Sequence, residues 1–383
     1  MSPLDVQPSV GGSSTGAPLS AISADLSAAP PRRVAVLTSA RSWRGSSSVF
    51  AAIGRGLAAR GHSVVALVAH EPLVRGFRER GLNAIALPIG HTRLQGARAL
   101  RRAFQELGSE VVFADKPRDL RLAALASLRR PLTIIYCIST PRPPRDLLTR
   151  LAFRRVRLTV FLTAQLARQS FSEARFMCRA PYRVIPNGVD CDFFRPDPRV
   201  GWAFRRRYGL GDGPLLLSVG ALAVEKRWDV LLESVSRLAR PAPPLVVCGS
   251  GPLAAVLRAQ AEWRGLDARF MGWLEPSQLV GAFNAATCVV HAGREACSLA
   301  LTEALACGRP VLAADSGGTR ELLGDAGVLA PPLDAATLGR LLQELLGDAR
   351  WRAALSAAAR RRAVEHFSLG RMVQAYVDLL ESI

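Results

Sequence analysis

Short apolar runs alternate with amphipathic helical stretches along this chain, in two separate series. In the first, Val34–Thr38, Val64–Val68, Ala84–Pro88, Val111–Ala114, Leu132–Cys137 and Leu158–Leu162 read as strands, with a helix from Ser47 to Arg60 after the first. In the second, Leu215–Val219, Leu245–Cys248, Arg269–Gly272, Cys288–His291 and Val311–Ala314 repeat the pattern, and Leu369–Leu380 reads as a last helix. Strands that are apolar throughout are buried on both faces, which is the condition of a parallel sheet covered by helices. Helical crossovers between such strands are right-handed. The pattern therefore predicts an α/β protein of two Rossmann-like parallel-sheet domains facing across a cleft. With 383 residues and 49% hydrophobic content, the chain can fill both cores.

The chemistry concentrates where the second series ends. Between Cys288–His291 and Val311–Ala314 lies Arg294-Glu-Ala-Cys-Ser-Leu-Ala-Leu-Thr-Glu-Ala-Leu-Ala-Cys-Gly308. Ligands of parallel sheets bind at strand C-termini, so Glu295 and Glu303 face the crevice. At about 1.5 Å per residue their carboxylates are roughly 10 Å apart. A glycosidase pair needs roughly 5–9.5 Å. Two anchors on one elongated, polyhydroxylated ligand fit better. Ser298 reads as an N-cap, leaving the amides of Ser298 and Leu299 for an anion. Lys226 follows a strand and precedes a helix, where an ammonium meets a diphosphate or is merely solvated beside Glu225. Gly249 and Gly251 allow a tight turn. Trp273 either stacks on a base or packs.

In the first series, Asp115, Lys116 and Arg118 follow a strand as acceptor-side candidates or as a surface pair. Asp190-Cys-Asp192 has the D-x-D form of a metal site but lacks further acids nearby, so no metal is expected.

These motifs resemble retaining glycosyltransferases of family 4, which have the GT-B fold and a Glu-x7-Glu signature. Val184-Ile-Pro-Asn-Gly-Val-Asp190 is similar to the family's interdomain crossing, and Ser218-Val-Gly-Ala-Leu-Ala-Val-Glu-Lys226 to its phosphate loop. Val247-Cys-Gly-Ser-Gly-Pro252 and Arg269-Phe-Met-Gly-Trp273 resemble its Gly-x-Gly-Pro turn and base-binding strand. The resemblance implies an N-terminal acceptor domain over 32–185, a donor domain over 186–366, and a helix over 367–383 crossing back. It assigns Glu295 to the transferred sugar, Glu303 to the ribose hydroxyls and Lys226 to the leaving phosphate. The glycine-rich loop at Gly45 has one glycine where the family has two. Ala221 stands at a usual arginine, and Ser139 at a histidine found near many family reaction centres. Same-face attack is implied, the leaving phosphate helping to take the acceptor proton. No cofactor is expected beyond the nucleotide diphosphate sugar as co-substrate. The implied acceptor is a glycan or lipid-linked precursor of lipopolysaccharide, exopolysaccharide or glycolipid. The alternatives are a nucleotide-sugar epimerase or phosphorylase on the same fold, or a degenerate binding protein.

The net charge of +19 is uneven. Residues 31–160 hold 23 arginines and one lysine against seven acids, a net +17. Either this is a solvated arginine-rich surface, or this half meets an anion such as a membrane surface. Pro141–Arg157, where arginines alternate with leucines, is the candidate amphipathic segment. Nucleic-acid binding would leave the Glu-x7-Glu segment idle and is not expected. Seven cysteines without a C-x-x-C pair argue for reduced thiols. No apolar run is long enough to span a bilayer, and residues 1–31 lack the basic and apolar regions of a secretory signal. A disordered tail is expected there, and a cytoplasmic protein, with peripheral attachment to the inner face of the cytoplasmic membrane as one of the two readings of its charge.

Overall fold

In the computed structural model, residues 30–43, 45–90, 93–128, 130–140, 143–293 and 297–383 are described. The expected tail, apart from its last two residues, therefore lies outside them. Residues from Pro31 to Ile383 form one compact unit, built around two sheets.

The first sheet contains β1 (Arg33–Thr38), β2 (Ser63–Val68), β3 (Ala84–Ala86), β4 (Val111–Ala114), β5 (Thr133–Ile138), β6 (Val156–Phe161) and β7 (Tyr182–Val184). Its strands are all parallel, in the order β3-β2-β1-β4-β5-β6-β7. Strand alternation sends Val34 and Val36 to one face and Ala35 and Leu37 to the other. The first face is covered by α1 (Gly45–Ala58) and α2 (Glu71–Arg78), the second by α3 (Arg93–Glu106), α4 (Pro117–Ala126), α5 (Leu147–Phe153) and α6 (Ala164–Glu173).

The second sheet joins β8 (Leu216–Val219), β9 (Leu245–Cys248), β10 (Ala268–Gly272), β11 (Cys288–His291), β12 (Val311–Ala314) and β13 (Val328–Ala330) in the parallel order β10-β9-β8-β11-β12-β13. Around it pack α7 (Pro198–Tyr208), α8 (Trp228–Ser236), α9 (Ala254–Trp263), α10 (Pro276–Ala285), α11 (Leu299–Ala306), α12 (Gly318–Leu323), α13 (Ala335–Gly347) and α14 (Ala349–Phe367).

The two-sheet α/β reading holds, and the differences are local. β7 and β13 went unread; each is a three-residue edge strand, and β7 runs straight into the Val184–Asp190 crossing. Among its described residues, the Pro141–Arg157 segment is helical over Leu147–Phe153; Asp146 caps it, its carboxylate accepting from Thr149 N at 3.0 Å.

Two chain crossings join the lobes, and they pair with each other. Val189 N donates to Phe367 O, and Leu369 N to Val189 O, each at 2.8 Å. A Cβ at Gly188 would lie 2.9 Å from Leu369 Cα, so the Asn-Gly of the crossing is required by backbone approach. After the second crossing, α15 (Leu369–Glu381) packs on α1, burying Met372, Tyr376 and Leu380 in the first lobe's core. Tyr376 meets Phe113 edge-on at 5.6 Å.

In both sheets the strand order reverses at one place, between β1 and β4 and between β8 and β11. Such switch points open a crevice beyond the strand C-termini. Asp115 and the start of α1 belong to the first crevice. The Gly220–Lys226 loop, His291 and the start of α11 belong to the second.

Candidate active site

The β8 loop is shaped by its neighbours. Gly220 N donates to Cys248 O and Leu222 N to Ser250 O, both at 2.9 Å, so the β9 loop lies directly upon it. That approach needs both glycines of the turn: a Cβ at Gly249 (φ 141°) would come within 1.9 Å of Gly220 O, and one at Gly251 within 2.4 Å of Leu222 O. Their first duty is thus to let two loops touch. Lys226 ends a 3-10 turn and folds back over the loop, its Nζ 3.7 Å from where a Gly220 Cβ would stand. A Cβ on Gly293 would be 2.9 Å from His291 Nε2 and 3.2 Å from Lys226 Cα. Lys226 and the buried His291 therefore share one small space at the ends of β8 and β11.

Arg227, a candidate substitute for the missing cation at Ala221, is held by Asp229 through Nε at 3.0 Å and a second nitrogen at 2.6 Å. The Ala221 carbonyl accepts from Trp228 Nε1 at 2.9 Å.

Ser298 is buried at the N-cap of α11, but its side chain makes no capping bond. The expected cap is correct in position only. First-turn amides carry the positive end of the helix dipole. Glu303 stands one turn in. Among the described residues its carboxyl has no hydrogen bond or ion pair, and burial pushes it up to about 8. A buried carboxyl with no partner among the described residues is an acceptor awaiting donors. Glu295 lies outside the described residues, with Arg294 and Ala296. Trp273 follows β10 with 65% of its surface exposed.

Across the crevice, α1 begins at Gly45, where a Cβ would sit 2.6 Å from Leu299 Cδ1. The first residues of α1 and α11 thus touch, one from each lobe. Behind Gly45, the Asp115 carboxylate accepts from Thr38 Oγ1 at 3.2 Å and Ser46 Oγ at 3.4 Å. Asp119, fully buried, accepts from Ser39 N at 3.0 Å and from Lys116 N at 3.2 Å. Burial pushes Asp119 up to about 7; the Ser39 bonds oppose that and Asp115 adds to it. Asp119 was not singled out in the sequence, although Pro117 followed by an acid two residues on is a helix-start signal. Lys116 occupies the N-cap position of α4. Arg118 donates from Nε to Ile89 O at 2.9 Å, which ties it to the loop after β3. Ser139 is exposed just beyond β5.

The D-x-D sequence forms a turn: Asp190 Oδ1 accepts from Asp192 N and Phe193 N, each at 3.0 Å. The lobes also meet away from the crossings. Glu321 on α12 accepts from Ala164 N at 2.7 Å and from Gln165 N, so an acid of one lobe caps helix α6 of the other.

Comparison with known proteins assigns each lobe. Residues 43–193 match the model for "Glycosyltransferase Family 4", and residues 202–362 that for "Glycosyl transferases group 1". The chain belongs to the family-4-like glycosyltransferases of GT-B fold. It is 30% identical over 222 residues to a GDP-mannose-dependent alpha-(1-6)-phosphatidylinositol monomannoside mannosyltransferase of Mycolicibacterium smegmatis, covering 54% of this chain and 58% of the relative. It is 34% identical over 220 residues to a D-inositol 3-phosphate glycosyltransferase of Thermobispora bispora, covering 52% and 51%. The chain thus spans about half the length of the curated relatives it matches. Anabaena HepE in complex with UDP superposes with a TM-score of 0.82 at 18% identity, over 92% of this chain and 100% of that one. A Rickettsia africae glycosyltransferase gives 0.81 at 16%, over 92% and 99%. At such identities the likeness is one of fold.

Proposed function

We propose that this glycosyltransferase moves a sugar from a nucleotide diphosphate sugar to an acceptor hydroxyl with retention at the anomeric carbon. The meeting of α1 and α11 at Gly45 and Leu299 carries the reading: two helix N-termini from different lobes point positive ends at one gap. A diphosphate placed there is stabilised by backbone amides and by the ammonium of Lys226, and leaving-group charge is what such a site must absorb. Glu303 accepts from ribose hydroxyls, which restores the partners its buried carboxyl lacks. Glu295 takes the transferred sugar.

We read the chemistry as metal-independent, because amides and Lys226 supply the positive charge and the Asp190 carboxylate is already occupied by its own turn. With Ser139 at the histidine position, the leaving phosphate takes the acceptor proton. Asp115 and Lys116 lie on the acceptor side. The relatives' names point to a phosphorylated or lipid-held polyol as acceptor, consistent with the basic first lobe and with work at a membrane surface in glycolipid synthesis.

Nucleotide-sugar binding without turnover is a second reading, favoured by Ala221, which presents no cation. The test measures nucleoside diphosphate release across a donor panel, with acceptor present. Release lost in Glu295→Ala but kept in a distant surface variant supports transfer. Donor-dependent thermal stabilisation without any release supports binding alone; about 2.7 kcal/mol is expected at a hundredfold excess over the dissociation constant.

A further inference from the structure

The outer face of α5 is unusual for a surface helix. Thr149, Ala152 and Phe153 turn inward, while Leu147, Leu148 and Leu151 are 67%, 44% and 46% exposed. Leu147, Leu151 and Arg154 fall at i, i+4 and i+7, so the apolar stripe runs straight into the arginines at the helix end. There, at the N-terminal edge of β5 and β6 and away from the crevice, lies an open cavity of about 660 Å³ lined by Arg32, Arg154, Arg155 and Arg157 together with Glu110 and Thr133. Arg154 also lines a neighbouring hollow of about 350 Å³ with Arg179.

The charge in this region is uncompensated. Glu110, the one acid in the lining, pairs with Arg33 at 3.4 Å. Arg155 is fixed by the Ser127 carbonyl at 2.7 Å. Among the described residues, no hydrogen bond or ion pair holds the side chains of Arg150, Arg154, Arg157 or Arg179. Guanidinium groups left over beside exposed leucines match a surface that is anionic outside and apolar beneath. Arginine pairs well with phosphate oxygens, and leucines beside basic groups are the composition of interfacial segments. A single nucleic-acid strand would instead call for stacking side chains, and the stripe offers leucine.

We propose that α5 and the arginine edge beneath it dock on an anionic phospholipid surface, Leu147, Leu148 and Leu151 entering it while Arg154, Arg157 and Arg179 pair with headgroup phosphates. The docking surface does not depend on the transfer reading, since it is remote from the donor crevice.

The test is co-sedimentation of the full chain, without donor, with vesicles of phosphatidylcholine containing roughly one-third phosphatidylglycerol, and with phosphatidylcholine alone. Binding to the mixed vesicles that falls with salt is expected. A basic residue near an anionic surface contributes a factor of about five, so Arg154→Ala, Arg157→Ala and Arg179→Ala together should weaken it about 100-fold. Leu147→Ser, Leu148→Ser and Leu151→Ser together should weaken it at every salt concentration. A charge-matched control with Arg199, Arg350 and Arg361 changed to Ala should stay within about fivefold of wild type, as distant charges are screened. All altered positions are exposed, and an unchanged melting temperature checks folding. The proposal is overturned if the α5-edge variants bind like the control, if wild type ignores anionic vesicles, or if single-stranded RNA binds more tightly and is insensitive to the leucine changes.

Discussion

Glu303→Gln isolates the cost of burying this carboxyl. Burial alone pushes the Glu303 carboxyl up to about 8, against an ordinary 4.5. A raised acid makes the native state the better proton binder, so stability is highest below the unfolded value and is lost as pH rises from about 4.5 to about 8. Across that window the loss approaches the full shift, which at about 1.4 kcal/mol per unit is on the order of 4 kcal/mol, and water entry reduces it to about 2–4. Glutamine keeps the shape and cannot ionise. Unfolding by urea should therefore show the variant more stable than wild type by about 2–4 kcal/mol near pH 8, and by less than about 1 kcal/mol near pH 5. Donor should stabilise the variant less than wild type, since an amide oxygen is a weaker acceptor than a carboxylate. A stability difference that is the same at both pH values would show a solvated carboxyl and refute the reasoning.

Lys226→Arg should be nearly as damaging as Lys226→Ala, with turnover down about 10²–10³-fold, because the chain folds tightly past Gly220 and Gly293 and a planar fork does not replace a compact ammonium; wild-type-like turnover with arginine would contradict this. Gly249→Ala should cost about 3 kcal/mol or more by thermal melting, since its φ of 141° and the Gly220 carbonyl both exclude a side chain. Glu321→Gln keeps an acceptor but removes the charge that caps α6, so lobe closure should weaken by about 1 kcal/mol. Small-angle scattering should show a larger radius of gyration with the donor affinity reduced; an unchanged radius would mean the cap is incidental.

How much was legible follows from the range of each signal. Fully buried parallel strands such as Val34–Thr38 and Leu245–Cys248 write themselves as unbroken apolar runs, so both sheets could be read. Gly45, Lys226 and Ser298 could be located because each lies in the connection that follows a strand, and Glu303 because it stands in the helix that Ser298 opens. What sequence could not carry was long-range. The cap of α6 by Glu321 joins residues 157 apart, and neither local pattern mentions the other. Asp119 was passed over for Asp115 because burial depends on the β1 loop folding over it, through Ser39 N. Gly249 was read only as part of a tight turn, and the loop that presses on it, through the backbone of Gly220, lies far from it in sequence.

The same contrast bears on how the two crevices act together. The first crevice places Asp115 and Asp119 beneath its rim, whereas the second places Lys226 and the start of α11 on its own. On the proposed reading that division suits transfer, since the donor's diphosphate needs the second rim together with the start of α1, and the acceptor's hydroxyl approaches over the first. Two of the contacts that tie the rims are short in side-chain reach: a glycine against Leu299, and a carboxylate on the amides of α6. Widening either by one methyl group therefore acts on the gap itself. Gly45→Ala should lower turnover while leaving unfolding free energy within about 1 kcal/mol, because the clashing Leu299 Cδ1 is the mobile end of a side chain. If turnover were unchanged, the contact between the two helix ends would not set the distance at which the sugar is transferred.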